Sequence, residues 1–292
     1  MLSPITKKEL KQYLVCKDHL VTKKDFNVLI DEETELLVTS PQPSVEEIGK
    51  YYESEEYNSH SAEAKSVFDK IYEFVKNINL KSKYSIIEKN EVKTERIPSL
   101  LDIGCGAGDF LNFCKNKAWE VSGVEPTEKA REISEKKLGI KISSDLSLDH
   151  FEDASFDVVT MWHVLEHRFD IMETVANLKR IVKPGGLIVI ALPNYKSYDA
   201  KFYKQYWAAY DVPRHLFHFT KKTIEIIFAK NELKLSKVYP MWFDSFYVSL
   251  ISEKNMTGKM NPLRAIFIGL ISNIKAIFNK EASSLIYVSK QD

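Results

Sequence analysis

The sequence predicts an α/β protein whose core is a seven-stranded, mostly parallel sheet with helices on both faces. Two observations favour this class. From residue 100 onward, short runs of β-branched residues alternate with amphipathic helical patterns, as in βαβ units, and the first run leads into a glycine-rich turn. The runs that predict strands lie at residues 100–103, 120–124, 140–143, 156–161, 187–192, 233–238 and 285–288.

The composition is that of an ordinary folded protein. The chain has 292 residues, 44% of them hydrophobic and 28% charged, and 41 basic residues balance 41 acidic ones. This balance argues against a nucleic-acid partner. Three cysteines are too few for a disulfide framework, and the N-terminus lacks the apolar run of a signal peptide. We therefore expect a cytoplasmic location.

Residues 1–60 follow a different pattern and are predicted to form a small hairpin and a helical cap. β-like runs at residues 26–30 and 35–39 enclose the acidic turn DEET, and a capping box of Ser44 and Glu47 opens a short helix. Residues 61–292 are predicted to form the main domain, with insertions at about residues 195–219 and 245–280.

The second insertion contains an apolar stretch at residues 263–278, which Arg264, Asn273 and Lys275 interrupt. It is shorter than the roughly 20 residues of a membrane-spanning helix. Its apolar residues recur at steps of three and four, which predicts an amphipathic helix. We expect this helix to pack on the core, and the alternatives for its apolar face are a membrane surface or a dimer partner.

A glycine-rich turn follows the first predicted strand in the run LDIGCGAGDF. Gly104, Gly106 and Gly108 leave the backbone open to close approach by a ligand, although a tight turn without any ligand also uses glycines. The spacing is G-x-G-x-G rather than the dinucleotide pattern, and Asp102 precedes the turn. An acid here disfavours a pyrophosphate and favours a ligand that carries an ammonium group.

A second acid, Glu125, ends the second predicted strand, about twenty residues after the turn. A carboxylate at this position can accept hydrogen bonds from both hydroxyls of an adenosine ribose, whereas a solvated strand-end acid has no such role. Together with Asp102 and the glycine turn, Glu125 indicates a site for a cofactor that contains adenosine and a positive charge.

The motifs LDIGCGAGDF, VSGVEP, FDVVTMWHVLEH and VKPGGLIVIALPN resemble, in this order, those of class I S-adenosylmethionine-dependent methyltransferases. Within that family the chain is most similar to the branch of ubiquinone-biosynthesis-type O-methyltransferases, which share the LEH triplet and a segment like YDVPRHLFHF. The resemblance implies a Rossmann-like sheet with an antiparallel last strand. It also implies S-adenosylmethionine as cofactor, with S-adenosylhomocysteine as its product.

Carried over residue by residue, the resemblance implies a cofactor site at the glycine turn. Asp102 anchors the loop, Gly104 and Gly106 shape the methionyl pocket, and Glu125 holds the ribose. The adenine contacts come from residues 145–146, where the match is loose. The full predicted set is Asp102, Gly104, Cys105, Gly106, Gly108, Glu125, Pro126, Asp145, Leu146, Trp162 and His163.

Trp162 and His163 follow the fourth predicted strand, where the family lines the donor's edge and the acceptor entrance. His163 is therefore a catalytic candidate, with a helix-cap or packing residue as the alternative. Glu166 and His167 could equally form a local surface pair. In some relatives a glutamate stands at the position of His163 and the set has been linked to a divalent metal. The histidine here leads us to predict no metal.

Residues 195–219 are unusually aromatic. A long aromatic connection suits a lid over a planar or apolar acceptor, and packing of a lid helix on the core is the competing interpretation. Arg214 could pair with a carboxylate, and His215 and His218 are catalytic candidates because a histidine can take a hydroxyl proton. The predicted acceptor-binding residues are Tyr206, Trp207, Asp211 and Arg214.

The front of the chain resembles relatives that carry a small zinc ribbon, through CKDH, the hairpin and TSPQPS. Such a ribbon needs two cysteine pairs. Here Cys16 is followed by His19 in the fourth place, and no second pair occurs near residues 31–35. A metal-free remnant that covers the active site is therefore predicted.

The expected activity is transfer of a methyl group to a hydroxyl of a small or lipid-linked molecule. Three alternatives remain, namely methylation of RNA, protein or glycan, a nicotinamide-dependent oxidoreductase on the same kind of sheet, and a catalytically silent cofactor-binding protein. No nucleic-acid partner and no transmembrane segment are expected. The protein is expected to be a monomer or a homodimer.

Overall fold

The computed structural model describes residues 1–52, 67–90 and 96–291, and within residues 67–74 it describes the backbone alone. The predicted domain boundary after residue 60 lies outside the described residues.

The N-terminal region forms a sheet rather than a single hairpin. β1 (Lys11–Lys17), β2 (Asp25–Asp31) and β3 (Leu36–Ser40) are antiparallel neighbours. β3 also pairs with a short strand much later in the chain, β8 (Phe217–His218). The sequence predicts β2 and β3 but not β1, most of whose residues are exposed. The aromatic segment therefore contributes a strand to the N-terminal sheet.

The central sheet consists of β4 (Ser99–Ile103), β5 (Glu120–Val124), β6 (Phe156–Trp162), β7 (Val182–Pro193), β9 (Leu235–Pro240) and β10 (Ser284–Lys290). Their order across the sheet is β5-β4-β6-β7-β10-β9. The first four strands in this order pair in parallel, whereas β10 pairs antiparallel with β7 and β9. The predicted α/β class and the antiparallel last strand are confirmed.

The sequence predicts seven strands in this sheet, and the described residues form six. The run at residues 140–143 makes only an isolated parallel bridge between Ser143 and Val124. Ser143 N donates to the Gly123 carbonyl O at 3.0 Å, and Glu125 N donates to the Ser143 carbonyl O at 2.8 Å. The segment lies beside β5 but is too briefly extended to form a strand.

The helices are α1 (Val67–Lys89), α2 (Asp109–Lys115), α3 (Glu128–Leu138), α4 (Ile171–Ile181), α5 (Tyr198–Tyr203), α6 (Lys221–Lys230), α7 (Asp244–Thr257) and α8 (Pro262–Asn279). Val158 and Val159, neighbours on β6, face opposite cores. One core includes residues of α4 and α6, and the other includes residues of α1, α2 and α3. A strand buried on both faces explains the continuous apolar character of β6.

The aromatic segment forms a third core between the N-terminal sheet and the helices α5, α7 and α8. Tyr203, Trp207 and Tyr210 are at most 3% exposed. Trp207 Nε1 donates to Asp199 Oδ2 at 2.8 Å, which satisfies the indole N–H inside this core. This placement favours the packing interpretation of the segment.

α8 is amphipathic, as the sequence predicts, but its large apolar side chains face solvent. Leu263, Phe267 and Phe278 are 83%, 61% and 81% exposed. The buried face is formed by Ala265, Ile268, Gly269, Ser272 and Ala276. The expectation that the apolar face packs on the core is therefore wrong. Within the described ranges, no helix has the length and apolar character needed to cross a membrane.

A buried ion cluster joins the N-terminal sheet to the aromatic segment. Arg214 donates to Asp18 Oδ1 from both Nη atoms at 3.2 Å, and to Asp211 from Nε at 3.0 Å and from Nη2 at 2.6 Å. Its remaining N–H donates to the Tyr51 carbonyl O at 3.1 Å. Arg214 and Asp18 are 1% and 0% exposed. The guanidinium therefore uses all five of its donors inside the protein.

Replacement of Arg214 by alanine should destabilise the protein by about 3–5 kcal/mol, because the Asp18 carboxylate would remain buried without its counter-charge. Urea unfolding of the variant and the parent protein measures this difference. Lys221→Ala, which breaks the exposed pair of Lys221 and Glu225 at 3.7 Å, is the control and should change little. Equal unfolding midpoints for the Arg214→Ala variant and the parent would contradict a structural role for the cluster.

Candidate functional site

Parallel pairing of β4 and β6 sets Asp102 opposite Thr160 at the carboxyl ends of the two strands. Thr160 Oγ1 donates to Asp102 Oδ1 at 2.6 Å. Asp102 is buried, and burial raises the pKa of its carboxyl to about 7, although the Thr160 hydrogen bond and the Lys83 ammonium act in the opposite direction. Asp102 thus offers an acidic group directly before the glycine turn.

The three glycines of the turn have different functions, although all have positive φ values of 54° to 72°. A Cβ at Gly104 would lie 2.4 Å from Val164 Cγ2, and a Cβ at Gly108 would lie 2.3 Å from Ser134 Oγ. These two glycines permit close packing. A Cβ at Gly106 would meet nothing within 4 Å. Gly106 is therefore the position at which the turn borders open space that a ligand can enter.

Glu125 binds the same turn. Its Oε2 accepts a hydrogen bond from Gly106 N and its Oε1 accepts one from Thr127 N, both at 2.9 Å. Each carboxylate oxygen has two lone pairs, so each oxygen retains one for a ligand hydroxyl. Pro126 is exposed, and its carbonyl O accepts from Arg131 Nη1 at 3.0 Å. The described geometry fits a ribose at Glu125.

The remaining residues of the predicted cofactor set differ in exposure. Cys105 is buried behind the turn, and burial raises the pKa of its thiol to about 12. Asp145 is exposed, and its carboxylate accepts from Ser147 N and Ser147 Oγ at 2.8 Å. Leu146 is half-buried, and its carbonyl O accepts from Arg168 Nη2 at 2.8 Å. Asp145 therefore has local partners, and Leu146 offers the apolar surface.

Lys83 on α1 lies at this site, although it is not among the predicted site residues. Its Nζ is 4.3 Å from the centroid of the Trp162 ring, within the range of a cation–π interaction. Burial lowers the pKa of Lys83, although the carboxylates of Asp102 and Asp244 favour its charged form. Lys83 stands one helical turn from the apolar residue Leu80. A lysine on the apolar side of a helix was the signal available in the sequence.

The indole of Trp162 is 9% exposed, and its Nε1 has no hydrogen-bond partner among the described residues. Its ring packs edge-on against Phe110 of α2, with the centroids 5.3 Å apart. A buried donor without a partner is costly in a folded protein. The Trp162 N–H is therefore available to a ligand at the end of β6.

His163 is held between two carboxylates. Its Nε2 lies 3.1 Å from Asp244 Oδ2 and its Nδ1 lies 3.4 Å from Glu166 Oε1. Burial works against the charged imidazolium, but the two carboxylates outweigh it and raise the pKa of His163 to about 10. His163 is therefore protonated at neutral pH and has no lone pair with which to accept a proton. Asp244, the first residue of α7, belongs to no motif and is not among the predicted site residues.

Glu166, His167 and His215 bring three metal-ligand atoms within 4.8 Å of one another. His167 Nδ1 is 3.0 Å from the Arg214 carbonyl O, and His215 Nδ1 is 2.9 Å from the Ala209 carbonyl O. A carbonyl only accepts, so both Nδ1 atoms carry a hydrogen, and the neutral form of each ring has its lone pair on Nε2. Such donors suit a divalent transition-metal ion. The absence of a bound metal remains a prediction at this cluster.

The protonation of this group follows from its burial. Glu166 is 1% exposed, and although burial alone would raise its pKa, the nearby His163 imidazolium lowers it below the usual value. Burial lowers the pKa of His167 to about 4, with the neighbouring His215 acting in the same direction. Glu166 is thus ionised and His167 neutral at pH 7. The sequence-based alternative of a surface pair does not fit a carboxylate buried to this degree.

The predicted acceptor-binding residues lie with the N-terminal sheet and α7. Trp207, Asp211 and Arg214 line a cavity of about 50 Å³, which has room for water but not for an aromatic ring. Tyr206 is half-buried beside His19, with the ring centroids 6.2 Å apart. The structure groups these four residues around the buried ion cluster and does not bring them to the glycine turn.

His218 is 4% exposed, and its Nε2 lies 3.2 Å from Thr39 Oγ1 on β3. Thr39 Oγ1 donates its own hydrogen to the His215 carbonyl O at 2.7 Å, so the imidazole must donate to the hydroxyl. Burial holds the pKa of His218 well below the usual value. The geometry favours a packing role for this histidine.

His163 should titrate near pH 10 in an NMR pH series, and Asp244→Asn should lower that midpoint because one of the two carboxylates is lost. The folded pKa lies above the unfolded value of about 6.5. The stabilisation from His163 is therefore complete below that value and is lost as the pH rises toward 10. The difference in unfolding free energy between the parent and His163→Gln should therefore shrink as the pH rises from about 6.5 toward 10. A midpoint near 6.5 in the parent would contradict the described geometry.

Comparison with known proteins agrees with this site. A family model described as a methyltransferase domain matches residues 61–238, more than half of the chain. A demethylmenaquinone methyltransferase of Bacillus subtilis is 30% identical over 139 residues, which are 42% of this chain and 60% of that protein. A ubiquinone biosynthesis O-methyltransferase of Thiobacillus denitrificans is 36% identical over 102 residues, 32% of this chain and 44% of that protein.

The chain spans about 60% of the length of the Bacillus subtilis relative. Among solved structures, a Galdieria sulphuraria protein assigned as a sarcosine dimethylglycine methyltransferase has a TM-score of 0.51 at 13% identity, covering 75% of this chain and 86% of its own. This likeness shows a shared fold. Because the family match covers residues 61–238, with the glycine turn, Glu125 and the end of β6, the chain belongs to the methyltransferase-domain family, whose methyl donor is S-adenosylmethionine.

Proposed function

We propose that this chain transfers a methyl group from S-adenosylmethionine to a hydroxyl of a small or lipid-linked molecule. The main support is the arrangement of Asp102, Gly106 and Glu125. One acid precedes the turn, the other accepts a hydrogen bond from the turn at 2.9 Å, and the glycine between them borders open space. A cofactor with an ammonium on its amino-acid end and a ribose has complementary groups for each of these features.

The charges at the site also suit the methionyl end of the donor, which carries both an ammonium and a carboxylate. Asp102 supplies a carboxyl whose pKa is about 7 and which a ligand ammonium would hold in its ionised form. Lys83 supplies a cation whose Nζ lies 4.3 Å from the centroid of the Trp162 ring. We assign the donor's ammonium to Asp102 and its carboxylate to Lys83, since opposite charges attract strongly where water is excluded. Lys83 thereby adds to the cofactor set that the sequence implies.

The bound donor supplies a methyl carbon that its own sulfonium charge has already activated. The chain then has to position the acceptor, and holding two reactants at attack distance can contribute on the order of 7–11 kcal/mol. Trp162 and His163 end β6 beside the turn and form the wall on the acceptor side. Their rigid packing against Phe110 and Asp244 fixes this wall.

We assign the proton acceptor to His215 rather than to His163. His163 is protonated at neutral pH and can only donate, whereas His215 directs Nδ1 at the Ala209 carbonyl O, so that its neutral form presents the lone pair of Nε2. The Glu166 carboxylate, which faces both histidines, can stabilise His215 once it has taken a proton. General-base help of this kind contributes roughly a hundred- to ten-thousand-fold in rate.

Two observations support the proposed class of methyl acceptor, namely the names of the relatives and the net charge of the chain. The two curated relatives described above are a demethylmenaquinone methyltransferase and a ubiquinone biosynthesis O-methyltransferase, and their names support a small or lipid-linked acceptor. The equal numbers of acidic and basic residues give no support to a nucleic-acid substrate. Incubation of the protein with a labelled methyl donor and fractionated metabolite and lipid extracts identifies the acceptor.

S-adenosylhomocysteine should raise the melting temperature, because a ligand that binds only the folded state stabilises it by RT ln(1 + [L]/Kd). Glu125→Ala should abolish most of this shift, since it removes the carboxylate assigned to the ribose. Glu132→Ala, on the exposed side of α3, is the matched control and should keep the shift. NAD should give no shift. A shift with NAD alone, or an equal shift for Glu125→Ala and the parent, would argue against the proposal.

Gly106→Ala and Gly139→Ala form a second matched pair. Both glycines have similar φ values, 54° and 66°, and a Cβ at either position meets nothing within 4 Å. Each substitution should cost about 1–2 kcal/mol of folding free energy from left-handed strain. Only Gly106→Ala adds a methyl where the cofactor approaches, so calorimetry should show roughly ten-fold weaker S-adenosylhomocysteine binding for this variant. Equal affinities for the two variants would place the cofactor elsewhere.

A further inference from the structure

The outer face of α8 is apolar and exposed to an unusual degree. Seven large apolar side chains of this helix are between 47% and 83% exposed, namely Leu263, Ile266, Phe267, Leu270, Ile274, Ile277 and Phe278. At about 100° per residue they occupy an arc of about 120° on the helix surface. Contiguous apolar patches of this kind mark interaction surfaces.

The packing of α8 on α7 explains why these side chains point outward. A Cβ at Gly269 would lie 2.8 Å from Phe246 Cδ1 and 3.1 Å from the Ser245 carbonyl O. The two helices are therefore so close at Gly269 that no larger residue fits at this position of the inner face. Ser272 Oγ adds a hydrogen bond to Asp199 Oδ1 at 2.6 Å. A rotation of α8 that buried the large residues would break this contact, so the outward orientation is built into the fold.

The charges around this face point to one kind of partner. From Lys259 to Lys280 the chain has four basic residues and no acidic residue. At about 100° per residue, Arg264 and Lys275 border one side of the apolar arc. Arg264 Nε lies 3.3 Å from Glu253 Oε1 of α7, and Lys280 follows the last residue of α8. Cations on long stems at the edges of an apolar face are the arrangement of helices that lie in the surface of an anionic membrane.

Nearby aromatic residues agree with this arrangement. Trp242 is 41% exposed beside α8, where its carbonyl O accepts from Asn273 Nδ2 at 2.8 Å, and Tyr247 on α7 is 65% exposed. Trp and Tyr favour the boundary between lipid and water. The 18 residues of α8 span about 27 Å, enough for a long contact in the plane of the surface.

We propose that the outer face of α8, with its flanking cations, docks this protein on the surface of an anionic lipid membrane. A second copy of the chain fits this face less well. In a two-fold symmetric pair the face would meet itself, and with no acid between Lys259 and Lys280 the edge cations of one copy would oppose those of the other. Phospholipid headgroups supply anions for Lys275 and Lys280, whereas Arg264 already pairs with Glu253.

Sedimentation with vesicles tests the apolar part of the proposal independently of any methyl transfer. The 292-residue chain should bind vesicles of phosphatidylcholine and phosphatidylglycerol, and Ile266→Ser with Ile277→Ser should reduce its partitioning into vesicles roughly ten-fold or more. The matched control is Ile97→Ser with Ile133→Ser, which changes two isoleucines of similar exposure elsewhere, 63% and 46% against 55% and 54%. Melting temperatures confirm that both double variants are folded.

Charge reversal tests the anionic preference. Lys275→Glu with Lys280→Glu should remove the preference for vesicles with phosphatidylglycerol over pure phosphatidylcholine vesicles. The control is Lys129→Glu with Lys136→Glu, which makes the same change in net charge at exposed positions of α3 and should preserve this preference. Equal vesicle binding by the apolar variant and its control would overturn the proposal. So would analytical ultracentrifugation showing a dimer that Ile266→Ser with Ile277→Ser dissociates, without vesicle binding by the parent protein.

Discussion

The parallel register between β4 and β6 is the constraint on which the site depends. It sets Asp102 beside Thr160 and places the glycine turn next to Trp162 and His163 at the same edge of the sheet. A shift of one residue in this pairing would move the Asp102 carboxyl to the opposite face. Because β5 pairs with β4 in turn, the same register also brings Glu125 to Gly106.

A second constraint is the balance of buried charge around His163. The imidazolium, its two carboxylate partners and the Lys83 ammonium come from α1, α7 and the segment after β6. Each of these charges would be costly to bury alone, and together they compensate one another. The wall beside the turn is therefore assembled only when α1 and α7 are both in place. This dependence couples the geometry of the site to helices that carry none of its motifs.

The sequence predicts those parts of the protein in which neighbouring residues act together. The glycine turn, Glu125 and the β6 end are local patterns, and the family match confirms the methyltransferase domain that they indicate. Lys83 and Asp244 are not predicted, because each lies more than fifteen residues along the chain from the motif that it contacts and reaches the site only through tertiary packing. The protonated state of His163 is not predictable from the sequence for the same reason, since only folding brings Asp244 to its ring.

α8 shows a different limit of sequence patterns. A helical period reveals that large apolar residues share one face, but it does not reveal whether that face is turned inward. Here the inner side is set by the close approach of α7 at Gly269, where a Cβ would lie 2.8 Å from Phe246 Cδ1. The same contact holds α8 against α7, and α7 begins at Asp244, the partner of His163. A surface that engages the outer face of α8 therefore acts on the helix pair that supports one wall of the site.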